Sequence, residues 1–238
     1  MRLGETILIE RRFRGPAGSG NGGYTCGLVA ELVDTDAVEV TLRVPPPLDT
    51  PLRVERDGGD VRVLDGDTLV VEARPAALEL EPPAAPPFAD AERIVASHAP
   101  DPDHPFPGCF VCGPGREDGD GLRLEPTPAG GGTVVATWRP CENAVPFVWA
   151  ALDCPGAFAV DPGWSRGVSV LGRLTARVSE RPAIGAECVV VGWPLGADGR
   201  RLLAGTALWE GDRLLALARA VWFPVEASIR DGAVRDTA

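Results

Sequence analysis

Val145-Pro146-Phe147-Val148-Trp149-Ala150-Ala151-Leu152-Asp153 sets Val145, Val148, Trp149 and Leu152 at i, i+3, i+4 and i+7, the stripe of a buried helix. Working outward, runs rich in Val, Leu and Ala follow at 168–178, 187–193, 201–209 and 213–223 and read as strands. Trp209-Glu210-Gly211-Asp212 folds the last two into a hairpin. Upstream, 122–125 and 133–138 are also strand-like. The pattern predicts a helix over 145–154 among antiparallel strands.

The first half of the chain has the same order. Residues 6–13 read as a strand, Ser19-Gly20-Asn21-Gly22-Gly23 as a break, and Leu28, Val29, Leu32 and Val33 recur at helical spacing, which predicts a helix over 23–34. Strands follow at 37–44, 52–56, 60–64 and 68–73, with the turn Leu64-Asp65-Gly66-Asp67 matching the one at 209–212. Between the halves, Pro82, Pro83, Pro86, Pro87, Pro100, Pro102, Pro105 and Pro107 break any continuous element. Only 89–97 within that stretch has room for a turn or two of helix. The reading is two tandem units, 1–87 and 109–225, a connector at 88–108 and a tail at 226–238. A helix followed by four antiparallel strands covers one face of a strongly curved sheet. Two such α+β units can join their sheets edge to edge and remove an open edge from each.

Composition narrows the function. The 238 residues carry 34 acidic and 23 basic side chains, a formal charge of -11 that repels phosphate backbones and anionic lipid. Neither nucleic acid nor membrane is an expected partner. Every basic residue is Arg, so a Schiff-base lysine and a phosphate-loop lysine are both excluded. The opening Met1-Arg2-Leu3-Gly4-Glu5, with Glu10, Arg11, Arg12 and Arg14 close behind, lacks the apolar core of a signal peptide, and a cytoplasmic protein is expected. The six cysteines are accordingly expected as reduced thiols.

Two positions carry chemistry on their own terms. Gly22 and Gly23 open a helix, where free N–H groups and the helix dipole can meet a ligand oxygen closely and stabilise negative charge; alternatively, with Gly20, they merely supply positive-φ turns. Asp153 ends an apolar helical face, where a carboxylate is costly unless paired or hydrated, and is a candidate general base or nucleophile. With Pro155 and Gly156 behind it, Asp153 taken alone reads first as a helix-end residue satisfying turn amides.

Three stretches carry a family resemblance: Asn21-Gly22-Gly23-Tyr24, Cys109-Phe110-Val111-Cys112-Gly113-Pro114 with Gly121-Leu122-Arg123-Leu124, and Trp149-Ala150-Ala151-Leu152-Asp153. In this order they resemble the hotdog-fold thioesterase superfamily, in the tandem form of a double-hotdog acyl-CoA thioesterase. The resemblance implies hydrolysis of an acyl-CoA or acyl-carrier thioester, without a cofactor, at one composite site between the units. In it Asp153 is the acid, the amides of Gly23 and Tyr24 hold the thioester oxygen, Asn21 adds a side-chain hydrogen bond, and Gly22 and Trp149 contact substrate. The first unit has Ala30 at the acid's place, with Glu31 one position on, and the second has Val145 and Pro146 at the glycines' place. The halves are therefore complementary. Asn21 stands where the family more often has His, and Ala157 where some relatives have Thr or Ser. A non-catalytic acyl-thioester-binding protein and a hydratase or dehydratase are the alternatives, and a homodimer is the expected higher assembly if one forms.

Cys109 and Cys112, with His104 upstream, invite a zinc reading, but the remaining candidates His98, Cys141 and Cys154 supply no second close pair, so no metal and no stoichiometric zinc is expected. His98 and His104, the only histidines, both lie in the connector, and a histidine mechanism would need one of them to fold back into the site.

Overall fold

Alternating apolar side chains from both halves of the chain collect into one antiparallel sheet. The computed structural model describes residues 5–99 and 102–225; the 226–238 tail lies outside them. The elements are β1 (Thr6–Ile7), α1 (Gly22–Ala30), β2 (Ala37–Leu42), β3 (Leu52–Asp57), β4 (Asp60–Asp65), β5 (Thr68–Pro75), α2 (Phe88–Ala96), β6 (Thr127–Gly130), β7 (Thr133–Trp138), α3 (Val145–Ala151), α4 (Cys154–Val160), β8 (Val168–Val178), β9 (Cys188–Asp198), β10 (Arg201–Glu210) and β11 (Arg213–Val225). The strands are ordered β1-β3-β4-β5-β2-β8-β11-β10-β9-β7-β6. The halves meet at β2 and β8, with Val38 opposite Ala176 and Val40 opposite Leu174. Outward from that seam, β2-β5-β4-β3 and β8-β11-β10-β9 have the same succession. Pairing there leaves neither β2 nor β8 as an open edge.

Period-two alternation separates two apolar layers. Ala136, Val190, Leu208, Ala216 and Ala218 face the main core with α1, α3 and α4. Their neighbours Val135, Val189, Val191, Ala207 and Leu217 point to the other face, where Leu78, Phe88, Ala91 and Ile94 cover them. The proline-rich connector is thus a covering layer: α2 packs on β7, and Arg139 lies over the Phe88 ring at 4.3 Å while pairing with Glu92 and Glu187. No helix among the described residues is long and apolar enough to cross a membrane.

Several expected elements differ, each for a local reason. Residues 6–13 are not one strand, because Phe13 donates its N–H to the Glu10 carbonyl in a tight turn and swings its ring inward onto Tyr24. Residues 122–125 stay out of the sheet, since Leu122 and Leu124 donate instead to the Phe110 and Val111 carbonyls. Helix α1 stops at Ala30, where Leu32 and Val33 bond to Val29 and Ala30 in three-residue steps. The helix expected over 145–154 breaks after Ala151. Pro155 has no N–H for the Ala151 carbonyl, and it sits in the first turn of α4, where none is needed.

Gly23 and Gly27 face α3 so closely that no side chain fits. A Cβ on Gly27 would lie 2.5 Å from the Pro146 Cα, and one on Gly23 would lie 2.5 Å from the Asp153 Cβ and 2.7 Å from the Trp149 carbonyl oxygen. Neither these glycines nor Gly20 and Gly22 have positive φ, so the turn reading of the glycine run does not hold. Close helix packing is what requires them at 23 and 27.

Candidate active site

Asp153 occupies the break between α3 and α4, 2 % exposed, and its side chain does not cap α4. It reaches into the other half of the chain. Its Oδ2 accepts the Gly23 N–H at 2.9 Å and the Asn21 Nδ2 at 2.8 Å. Asn21 is also the N-cap of α1, its Oδ1 accepting the Tyr24 N–H at 2.8 Å. This pair of contacts fixes which end of the amide faces the carboxylate. Asp153 Oδ1 has no hydrogen-bond partner among the described residues. Burial raises the Asp153 pKa to about 7; the Gly23 N–H opposes the rise, negative charge at Cys109 adds to it, and Asn21 opposes it again. A carboxyl group so placed can take and return a proton near neutrality.

The geometry redistributes the roles expected for the first turn of α1. The Gly23 amide is spent on Asp153 and the Tyr24 amide on Asn21, so neither is open to a substrate oxygen in this arrangement. The Gly22 amide, first in the helix, has no intrahelical acceptor. Tyr24 itself is buried, stacked on Phe13 at 3.8 Å between ring centroids, and burial pushes its hydroxyl up to about 12. Replacing Asn21 by Ala should cost about 0.5–2 kcal/mol, the range for a lost N-cap. Urea unfolding of the two proteins measures it, and Asn21→Ser should recover part of the loss.

A cavity of about 700 Å³ opens beside Asp153. Phe158, Trp164, Leu171 and Phe223 supply apolar wall, while Asn21, Gly22, His104 and Asp153 supply polar groups. Such a lining suits an acyl chain with a few fixed polar contacts at one end. Gly22 is on the wall as expected. Trp149 is not: at 2 % exposure it faces α1 and packs against Gly27, because its helical phase points it toward the partner helix. His104 does fold back, and its Nδ1 accepts the Phe106 N–H at 3.1 Å, which puts the proton of the neutral ring on Nε2. Only the tertiary fold brings it into the cavity lining, and no local pattern announces that.

No protein-family model and no curated protein matches the chain. Solved structures do. The tesB protein of Mycobacterium avium subs paratuberculosis aligns at TM-score 0.55 and 15 % identity over 86 % of each chain. A conserved protein of unknown function with a hot dog fold from Alicyclobacillus acidocaldarius aligns at TM-score 0.59 and 16 % identity over 92 % of this chain and 93 % of its own. The chain has a hotdog fold. The acyl-CoA thioesterase II TesB2 of Mycobacterium marinum also aligns, at TM-score 0.52 and 15 % identity over 93 % of this chain and 92 % of its own.

Within this hotdog fold a second group of reactive side chains adjoins Asp153. The six cysteines are unbridged. The Cys109 Sγ lies 3.8 Å from the Cys154 Sγ and 3.8 Å from the Asn21 Nδ2. With Cys112 the three buried sulfurs all lie within 4.8 Å of one another, on the cavity wall. The Cys109 thiol is held well below the usual range by the Cys112 and Cys154 side chains and by the Cys112 and Val111 N–H groups, against the opposing effect of burial. The expectation of a zinc-free protein rested on a pair of thiols, and the structure makes it three. Cys154 is among the candidates weighed in the sequence, but at 45 residues from Cys109 it forms no spaced pair there, and only the fold brings it in as the third sulfur.

Proposed function

We propose that the chain is a tandem double hotdog, with units 1–87 and 109–225, and that it hydrolyses acyl thioesters of CoA or an acyl carrier at one composite site. The matching strand succession on either side of the β2–β8 seam supports the tandem reading. One observation carries the chemistry. A buried carboxyl group from the second half is tethered through Oδ2 to the helix start of the first half, with Oδ1 left over beside an apolar cavity.

In this mechanism Asp153 Oδ1 takes a proton from a water as the water oxygen attacks the thioester carbonyl. The carbonyl π electrons move to oxygen, and the resulting oxyanion sits at the start of α1, where the Gly22 N–H and the helix dipole stabilise it. Collapse breaks the C–S bond and the thiolate leaves. The proton on Asp153 returns to solvent or to the thiolate, restoring the carboxylate. The acyl chain lies between Phe158, Trp164 and Phe223. Similarity to the M. marinum acyl-CoA thioesterase II supports CoA thioesters as the class to test first.

Hydration of a 2-enoyl thioester is a second reading, favoured by the presence of His104 on the same wall as Asp153. Thiol release across acyl-CoA chain lengths, aromatic acyl groups and 2-enoyl-CoA separates the possibilities. The expected result is thiol release well above buffer on at least one saturated or aromatic substrate. Loss of enoyl absorbance without thiol release would transfer the site to hydration, and no turnover on any member would make the protein an acyl-thioester binder.

A further inference from the structure

The thiol cluster takes no part in the hydrolysis just described. Yet it is built: Cys109, Cys112 and Cys154 are buried, they come from two separate segments, and their sulfurs converge on one point of the cavity wall. We propose that Cys109, Cys112 and Cys154 bind a zinc ion through their three sulfurs, with the fourth coordination position open to the cavity. A tetrahedral zinc with Zn–S bonds of about 2.3 Å places its sulfurs about 3.8 Å apart. Cys109 and Cys154 already stand at 3.8 Å, and every separation in the group is within 4.8 Å.

The loop bearing the first two thiols is shaped for this task. In Cys109-Phe110-Val111-Cys112-Gly113 the Cys109 sulfur accepts the N–H groups of Val111 and Cys112, and the Gly113 N–H returns to the Cys109 carbonyl at 3.0 Å. Backbone donors of this kind orient a metal-bound thiolate and offset its charge. Gly113 admits no side chain, since a Cβ there would lie 2.5 Å from the Cys109 N and O. The Leu122 and Leu124 amides pin the same loop from behind through the Phe110 and Val111 carbonyls. Cys154 enters from the start of α4, directly after Asp153. Zinc takes its sulfur ligands as thiolates, so binding releases whatever protons the three thiols carry. The Asn21 amide 3.8 Å from the Cys109 sulfur joins the set of donors around the complex. Three protein ligands with the fourth vertex turned to a substrate-sized cavity is the pattern of a zinc able to exchange a ligand, as opposed to a closed structural site.

The proposal does not depend on the thioesterase reading, and its test does not use turnover. Reduced, chelator-stripped protein is titrated with Co²⁺. Sulfur-to-cobalt charge transfer in the near ultraviolet and tetrahedral visible bands should saturate at about one Co²⁺ per chain, and Zn²⁺ should abolish them. Cys112→Ser and Cys154→Ser should each weaken binding by more than about 10²-fold, beyond the loss typical of an outer contact. Cys141→Ser, at an exposed thiol away from the cluster, should change nothing. Should a serine variant not fold, alkylation of the unaltered protein followed by peptide mass mapping gives the same answer, since bound Zn²⁺ should protect Cys109, Cys112 and Cys154 alone. Absence of the charge-transfer band in fully reduced protein would overturn the proposal, as would a band that survives unchanged in Cys154→Ser. So would thiols that react equally with and without Zn²⁺.

Discussion

Asp153→Asn should fold normally and lose about 10²–10⁴-fold in thioester turnover, the scale of a missing general base. The new side chain can present its Oδ1 to the Gly23 N–H and the Asn21 Nδ2, so both hydrogen bonds survive. Its Nδ2 takes the place of the oxygen that lacks a partner. Removing a carboxyl group that burial pushes up to about 7 relieves a desolvation cost, and denaturant unfolding should find the variant at least as stable as the parent. Glu31→Gln is the comparison. That side chain is exposed beyond the end of α1, and its loss should leave the rate within about twofold, as expected of a surface change. If Glu31→Gln abolished turnover while Asp153→Asn retained it, the acid would belong to the other half of the chain.

Gly23→Val should damage both stability and rate. The first added carbon would sit 2.5 Å from the Asp153 Cβ and 2.7 Å from the Trp149 carbonyl oxygen. Neither is the yielding end of a flexible side chain, so α1 and α3 must separate. Overpacking of this kind costs about 1–3 kcal/mol or more. Separation also pulls the Gly23 N–H off Asp153 and displaces the carboxyl group, and a shift of about 1 Å at a reacting group can cost about 10²-fold in rate. Differential scanning calorimetry and the thiol-release assay read the two effects separately. A variant with parental melting temperature and rate would show that the helices are not held at the spacing described here.

Sequence periodicity was a good guide wherever one element sits against a continuous layer. Residues 133–138 and 168–178 are rich in Val, Leu, Ala and Thr and are strands over those same residues. It failed where the chain makes a few tertiary hydrogen bonds in place of a repeating ladder. Phe13 and Leu122 look like strand residues, but their amides are claimed by a turn and by the cysteine loop. The break at Asp153 was legible from Pro155, because a missing N–H acts within one helical turn.

For the site, local patterning is enough to pick out a short set of chemically capable residues: a glycine-opened helix with Asn21 before it, a carboxyl group at Asp153 ending an apolar helix, and a spaced thiol pair. Those follow from contacts three or four residues apart, which periodicity and turn chemistry encode directly. What these groups do to one another is a property of the folded chain. The Asn21 and Gly23 bonds to Asp153 span 132 and 130 residues, and the Cys109–Cys154 approach spans 45. The Cys109–Cys154 approach depends on the loop at 109–113 meeting the start of α4, and the two bonds to Asp153 depend on the crossing of α1 over α3 and on the register of β2 against β8. That same crossing turned Trp149 away from the cavity, engaged the amides of Gly23 and Tyr24, and left Gly22 as the first-turn amide on the cavity wall without an intrahelical acceptor. Such a crossing is set by packing summed over many side chains in both halves, and no short stretch of the chain contains it.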